Sequence, residues 1–289
     1  MISKTIKKFK NKLENTFKKK PNFTINYVNN ERLEINHNLS YVTDIGKRRK
    51  ENQDSGLVEI LGEWKLLIVA DGVASTTGSK IASTCAVVKI RDYLKAKKLN
   101  IKNPEEDIRN AILFADSEIK KIKLKSEQIN SDYNPPKTTL VMALIKDKTA
   151  YVAWVGDSRA YMINKRNVIQ VSKDDSWVEE AMEKGMTLKD ALSSNMAHAI
   201  TQCMGMMNKD MNIHIKKIDI TNFDLLLCSD GLWNYFNEGE KLLELYSNAY
   251  GRSIDRVNEM IGAVLKAGGG DNVTIALYCD YELPSIYKD

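Results

Sequence analysis

Leu66-Leu67-Ile68-Val69-Ala70-Asp71-Gly72 is a short aliphatic run that stops at a carboxylate and a glycine. Leu225-Leu226-Leu227-Cys228-Ser229-Asp230-Gly231 repeats the pattern late in the chain. Each run is long enough for one strand buried on both faces and too short for a typical helix. Both are therefore expected to be core strands that deliver an aspartate at the strand end. A glycine after the aspartate lets the backbone turn sharply and come close to a ligand, so the side chain and the next carbonyl could face one point. Asp-Gly after a strand is commonly only a turn. Two copies in one chain, with further acidic loops nearby, point to a shared site.

Composition bounds what that site can serve. Of the 289 residues, 43% are hydrophobic and 28% charged, which suits a soluble globular protein of one large or two small domains. No apolar run approaches the roughly 18 residues needed to span a bilayer, and the first residues lack the apolar region of a secretory signal. A cytoplasmic location is expected. Cys85, Cys203, Cys228 and Cys279 are scattered without a Cys-x-x-Cys pair, which predicts buried thiols in a reducing compartment and neither zinc nor disulfides. His37, His198 and His214 have no metal-ligand spacing and read as surface or packed residues. The net charge of +5 is uneven, because residues 1–20 carry eight Lys against one Glu. The body is close to neutral, so no nucleic-acid-binding surface is expected across it.

Taken in order, residues 1–20 place Ile2, Ile6, Phe9, Leu13 and Phe17 on one face with lysines on the others, a basic amphipathic leader helix. Such a helix suits an anionic membrane surface, at the inner face of the membrane, or a partner's acidic groove. A solvated extension, or docking on its own body, are the other readings. Pro21 ends it, and residues 21–38 read as a polar linker. Residues 39–283 form the body, and 284–289 a tail. In the body, strands are expected at 39–44, 55–61 and 65–70, then two long helices at 78–97 and from 103 to about 128. A meander of four strands follows between 138 and 171, then a polar helical segment at 176–194. Strands at 213–220 and 223–228, helices at 238–249 and 253–266, and a last strand at 272–281 complete it. The order does not alternate strictly, so helices packed on antiparallel sheets fit better than a parallel doubly wound sheet.

Asp54, Asp71, Asp157, Asp230 and Asp271 all fall at strand ends or in the turns after strands. A carboxylate set without His or Cys suits hard, oxygen-preferring divalent cations such as Mg²⁺ or Mn²⁺. Two such ions a few ångströms apart can share a water and aim it at phosphorus.

With these pieces assembled, the chain resembles the metal-dependent protein serine/threonine phosphatases, the PPM family or type 2C. The matching motifs, in the family's order, begin with Arg49 to Asp54, Val69-Ala70-Asp71-Gly72 and Lys137-Thr138-Thr139-Leu140. Val155 to Tyr161, Lys173 to Trp177 and Ile200 to Gly205 follow, and Cys228 to Trp233 and Gly270 to Thr274 complete the set. The Asn-Gln-Asp form is closer to bacterial members than to animal ones. The resemblance implies an α+β fold, an antiparallel β-sandwich flanked by helix pairs in four layers, with two metal ions at one end.

Carried over residue by residue, Asp71, Asp230 and Asp271 would ligate the catalytic pair, with Asp71 bridging and the Gly72 carbonyl as a backbone ligand. Asp54 would join through water, and Asp157 with Asp230 would hold a weaker third ion. Arg49 would grip the substrate phosphate. Asn272 would support the loop presenting Asp271, and Ser158 would stand behind the same ligands. The implied reaction is direct attack of a metal-bridging hydroxide on a phosphoserine or phosphothreonine protein, without a phosphoenzyme, by a monomer. After Asp71-Gly72, however, Val73-Ala74-Ser75-Thr76-Thr77 replaces the family's glycine-rich or His-containing segment, which stiffens the loop and removes the general acid of many eukaryotic members. A non-catalytic binding module of the same fold, marked by lost metal carboxylates, and a regulator recruited through the leader are the alternatives.

Overall fold

The computed structural model describes residues 30–35, 37–97, 101–122, 134–207, 210–237 and 239–280. The leader and the tail lie outside the described residues. In chain order the first strands are β1 (Glu31–Ile35), β2 (Leu39–Asp44), β3 (Ser55–Leu61) and β4 (Trp64–Ala70). After helices α1 (Ser79–Lys97) and α2 (Pro104–Ile119) come β5 (Leu140–Lys146), β6 (Thr149–Val155), β7 (Arg159–Ile163) and β8 (Val168–Gln170). Helices α3 (Trp177–Glu183) and α4 (Leu188–Leu192) precede β9 (His214–Asp219) and β10 (Asp224–Cys228). Helices α5 (Asp230–Trp233), α6 (Gly239–Asn248) and α7 (Ser253–Ala267) lead to β11 (Val273–Tyr278).

The strands form two antiparallel sheets, ordered β1-β2-β11-β10-β7-β8 and β3-β4-β5-β6-β9. The fold is α+β in four layers, helices outside and sheets within. Alternation along β4 shows why its sequence is continuously apolar. Leu66 and Ile68 pack with Ala82, Ala86 and Ile90 of α1, while Leu67 and Val69 face the other sheet. The same holds for β10: Leu225 and Leu227 point between the sheets, and Leu226 and Cys228 meet Val257 and Ile261 of α7. Each such fully buried aliphatic side chain contributes about 1.5–3 kcal/mol, so the two strands anchor the sandwich. All four cysteines are buried. Among the described residues no helix is long and apolar enough to cross a membrane.

Four expectations need correction. Glu31–Ile35, inside the expected linker, is an edge strand paired in register with β2 from Ile35↔Leu39 to Glu31↔Thr43. Its charged residues masked it, although Leu33 and Ile35 pack on the core between the sheets. The second long helix stops at Ile119, where Lys120 caps it, and residues 123–133 lie outside the described residues. The four-strand meander is two hairpins in different sheets, because the chain crosses from β6 to β7 through Gly156-Asp157-Ser158. The segment 176–194 is two short helices, broken at Gly185 (φ +94°) and restarted by Thr187, whose hydroxyl accepts from Asp190 N.

Candidate active site

Antiparallel pairing gathers the acidic loops at one end of the sandwich. Ala70, the last residue of β4, pairs with Ser55, the first of β3, so Asp71 and Asp54 emerge side by side. In the other sheet Cys228 pairs with Ile275 and Asp44 with Val273, which sets Asp230 beside Asp271 and beside the loop carrying Arg49. The crossing after β6 brings Asp157 to the same end. A cleft of about 400 Å³ is lined by Arg49, Asp71, Gly72, Asp157, Asp230 and Asp271, with Gln53, Thr139, His198 and Asn272 among its other walls.

Asp54, Asp71, Asp157 and Asp230 are held where ionisation is costly. Asp71 and Asp230 are half-buried, yet the protein excludes enough water to matter. Burial raises the pKa of Asp71 well above the usual carboxylate range, and the charges of Asp54 and Asp230 push the same way. Asp230 is pushed up to about 8 by burial first, then by Asp157 and Asp271. Asp157 is raised to about 7 by burial and by Asp174. Burial also raises Asp54, against hydrogen bonds that favour its ionised form. Those bonds are a relay with a fixed direction. Asn52 Nδ2 donates to Thr43 Oγ1 (2.8 Å), Thr43 meets Thr274 Oγ1 (2.7 Å), and Thr274 donates to Asp54 Oδ2 (2.8 Å). Ser229 Oγ adds a second donor at 2.7 Å. Asp54 Oδ1, by contrast, is buried without a protein partner.

The surrounding loops are tied to each other through Asn272. Its Oδ1 accepts from Gln53 N at 2.8 Å, and its Nδ2 donates to the carbonyls of Ile45 (2.9 Å) and Glu51 (3.0 Å). One side chain thus clamps the Arg49 loop to the Asp271 turn. Ser158 Oγ lies 2.7 Å from Thr139 Oγ1, which also accepts from Asp71 N at 3.0 Å, linking the Asp157 and Asp71 loops. Arg159 forms no ion pair within its own turn. It makes a forked bond to Asp174 (2.8 to 3.1 Å) and stacks on Trp233, whose Nε1 donates to Asp157 O. Arg49 donates to Asp271 Oδ2 at 2.5 Å, and this bond raises its pKa further.

A divalent cation is tested against this arrangement by its donors. Crowded carboxylates with raised pKa values, a buried orphan oxygen on Asp54, and a Gly72 where any Cβ would stand 2.7 Å from Gln53 O and Ser79 O fit a cation well. Among the described residues no three His, Cys, Asp or Glu side chains already stand in a metal-holding geometry. The fit is therefore of donor chemistry, and Arg49 supplies the counter-charge on Asp271.

Comparison with known proteins decides the family. Residues 46–265 match the profile described as protein phosphatase 2C. The chain belongs to that family. It is 30% identical to the serine/threonine phosphatase stp of Listeria welshimeri over 249 residues, covering 81% of this chain and 92% of that relative. Among solved structures, the serine/threonine phosphatase Stp1 of Staphylococcus aureus superposes with a TM-score of 0.71 at 28% identity, covering 84% of this chain and 95% of that one. The catalytic domain of the phosphatase PstP, described as a complex with 2 manganese ions, shares the fold (TM-score 0.66, 23% identity, 83% and 96% covered).

Several residues of this protein phosphatase 2C chain carried no legible signal in sequence. Ser229 and Thr274 fall inside the matching motifs, but nothing there announced that their hydroxyls are spent on Asp54. Lys80 is buried, its Nζ donating to Asp54 O at 2.6 Å. Burial lowers its pKa while the charge of Asp54 opposes that. His198, read as a surface or packed residue, is exposed and lines the cleft.

The raised pKa values make a stability prediction with a definite sign. Between the ordinary carboxylate value near 3.8 and the folded values of about 7 and 8, the folded chain keeps protons that the unfolded chain releases. Raising the pH through that window therefore favours unfolding. In a chelator, the thermal midpoint is expected to fall between pH 5.5 and 8 by roughly several degrees. Mn²⁺ should restore more stability at pH 8 than at pH 5.5. A midpoint that is flat or rising across the window in chelator would refute the assignment, and an Asp157→Asn, Asp230→Asn double variant should show a smaller fall, the remainder belonging to Asp71 and Asp54.

Proposed function

We propose that this chain, a metal-dependent protein serine/threonine phosphatase, hydrolyses phosphoserine and phosphothreonine directly in the acidic cleft. The observation that carries the reading is the delivery of Asp54, Asp71, Asp157, Asp230 and Asp271 by separate loops to one end of the sandwich, with Arg49 among them. Asp71, Asp230, Asp271 and the Gly72 carbonyl would hold two Mn²⁺ or Mg²⁺ ions, Asp54 would support them through water, and Asp157 with Asp230 would take a weaker third. When bound, such ions neutralise phosphoryl oxygens and lower the pKa of water so that it can attack phosphorus.

The chain's own residues supply the rest. Arg49 exchanges Asp271 for the phosphate, whose oxygens its planar fork matches bidentately. Asn272 keeps that arginine's loop in register with Asp271, and the Ser229 and Thr274 hydroxyls orient Asp54 and favour its ionised form against the effect of burial. No cysteine serves as nucleophile, since all four are buried and burial pushes the Cys85 thiol up to about 12. We assign the phosphatase domain to residues 39–283, extended at its start by β1.

The test is turnover of a small aryl phosphate and of a phosphothreonine peptide with Mn²⁺, with Mg²⁺ and in chelator. Turnover of both that needs the metal is expected. Equal rates in chelator would remove the metal from the reaction, and no turnover in either metal would leave the binding-module reading in its place.

A further inference from the structure

Cleavage of a phosphoserine or phosphothreonine ester sends an electron pair to an alkyl oxygen, a strongly basic leaving group that needs a proton in the transition state. The carboxylates of the cleft are committed to cations under the reading above, and the guanidinium of Arg49 is far too weak an acid. Loop 73–77 supplies no acid either. Thr76 is buried and its hydroxyl donates to Val73 O at 2.7 Å.

One imidazole is among the residues that line the cleft. His198 lines it together with Ile200, while His214 stands elsewhere, 2.9 Å from Asp175 and stacked on Trp154. The backbone around His198 is pinned and does not hang free. Trp177 N donates to Ala199 O at 2.8 Å, Ala199 N to Met196 O at 2.9 Å, and Thr201 N to Asp175 O at 2.8 Å, with Ser176 bridged to Ile200. The residue that sets this anchor, Asp175, is itself bonded to the Gly156 turn of the cleft (Gly156 N to Oδ2, 2.9 Å). The backbone that carries His198 is thus held by the same framework that holds the Asp157 turn, and the residue's exposure leaves it open to solvent.

We propose that His198 is the general acid that protonates the departing seryl or threonyl oxygen, an inference that rests on the phosphatase reading of the same cleft. Hydroxide derived from water forms the new P–O bond and keeps its hydrogen on the product phosphate. The ester P–O bond breaks with its electron pair going to the alkyl oxygen. The imidazolium gives that oxygen its proton, leaving the alcohol and a neutral ring, which takes a proton back from solvent.

Leaving-group dependence separates this role from a structural one. A nitrophenolate departs without help, whereas an alkoxide does not. His198→Gln is therefore expected to lose about 10²-fold in kcat on a phosphothreonine peptide. On nitrophenyl phosphate the loss should be far smaller, with an unaltered thermal midpoint. In His198→Ala, added imidazole should restore peptide turnover. Equal losses on both substrates, an effect confined to KM, or full peptide turnover in either variant would overturn the proposal while leaving the phosphatase reading intact. A wild-type protein inert toward both substrates in Mn²⁺ and Mg²⁺ would overturn both.

Discussion

Asp230→Asn is expected to abolish turnover and to leave the metal-free protein as stable as the parent, or more so. The two effects have opposite signs for one physical reason. In the folded chain Asp230 is held near Asp54, Asp157 and Asp271 in a cleft that penalises ionisation, which is what raises its pKa to about 8. Asparagine keeps the shape, can still accept the 3.2 Å bond from Asn234 Nδ2, and removes a like charge from the cluster. Without cations the cluster should therefore relax, and the thermal midpoint in chelator at pH 8 should rise or hold. Activity moves the other way, because a neutral amide supplies neither the charge nor the basicity that a divalent cation requires. A fall in kcat on the order of 10³-fold or more is expected at saturating Mn²⁺. Asp71→Asn should behave alike, since the same neighbours raise Asp71. Retention of kcat to within tenfold in either variant, with the fold intact, would remove the cleft from the chemistry.

What the sequence disclosed and what it hid follow from how each feature is encoded. The strands β4 and β10 were legible because burial on both faces demands an unbroken apolar run, and a run that ends in Asp-Gly exposes its purpose. Carboxylates at strand ends are likewise local signals. Strand β1 was hidden because an edge strand needs apolar residues on one face only, and Glu31, Arg32 and Glu34 diluted Leu33 and Ile35. The crossing between β6 and β7 was hidden for another reason: a turn such as Gly156-Asp157-Ser158 does not state whether its next strand stays in the sheet. The hydroxyl relay through Thr43 and Thr274 to Asp54 joins residues more than two hundred positions apart. Serines and threonines carry no pattern that could announce it. His198 shares this limit, since its place in the cleft wall depends on the pairing of its segment with Asp175 to Trp177, some twenty residues earlier in the chain.

Gly231→Ala is expected to cost both stability and activity, against what local propensity would suggest. Gly231 sits in the first turn of α5, and its φ is not among the positive ones. Alanine at such a site normally gains up to about 1 kcal/mol from helix propensity and from a less disordered unfolded chain. Sterics decides otherwise. A Cβ there would lie 1.9 Å from Asn272 O, 2.9 Å from its carbonyl carbon and 3.0 Å from Val273 Cα, all backbone atoms that no rotamer change can move. Relief requires the two loops to part by roughly an ångström, an overpacking penalty of about 3 kcal/mol that outweighs the propensity gain. The displacement falls on the residue whose side chain clamps Gln53, Ile45 and Glu51, so Asp271 and the Arg49 loop move together away from Asp230. An error of about 1 Å in such a constellation can cost on the order of 10²-fold in rate. The measurement is kcat and thermal midpoint of the variant across a Mn²⁺ titration. A lowered kcat that needs more Mn²⁺, together with a lowered midpoint, is the expected pair, and an alanine variant matching the parent in both would mean that the Asp230 and Asp271 loops do not approach as closely as the cleft requires.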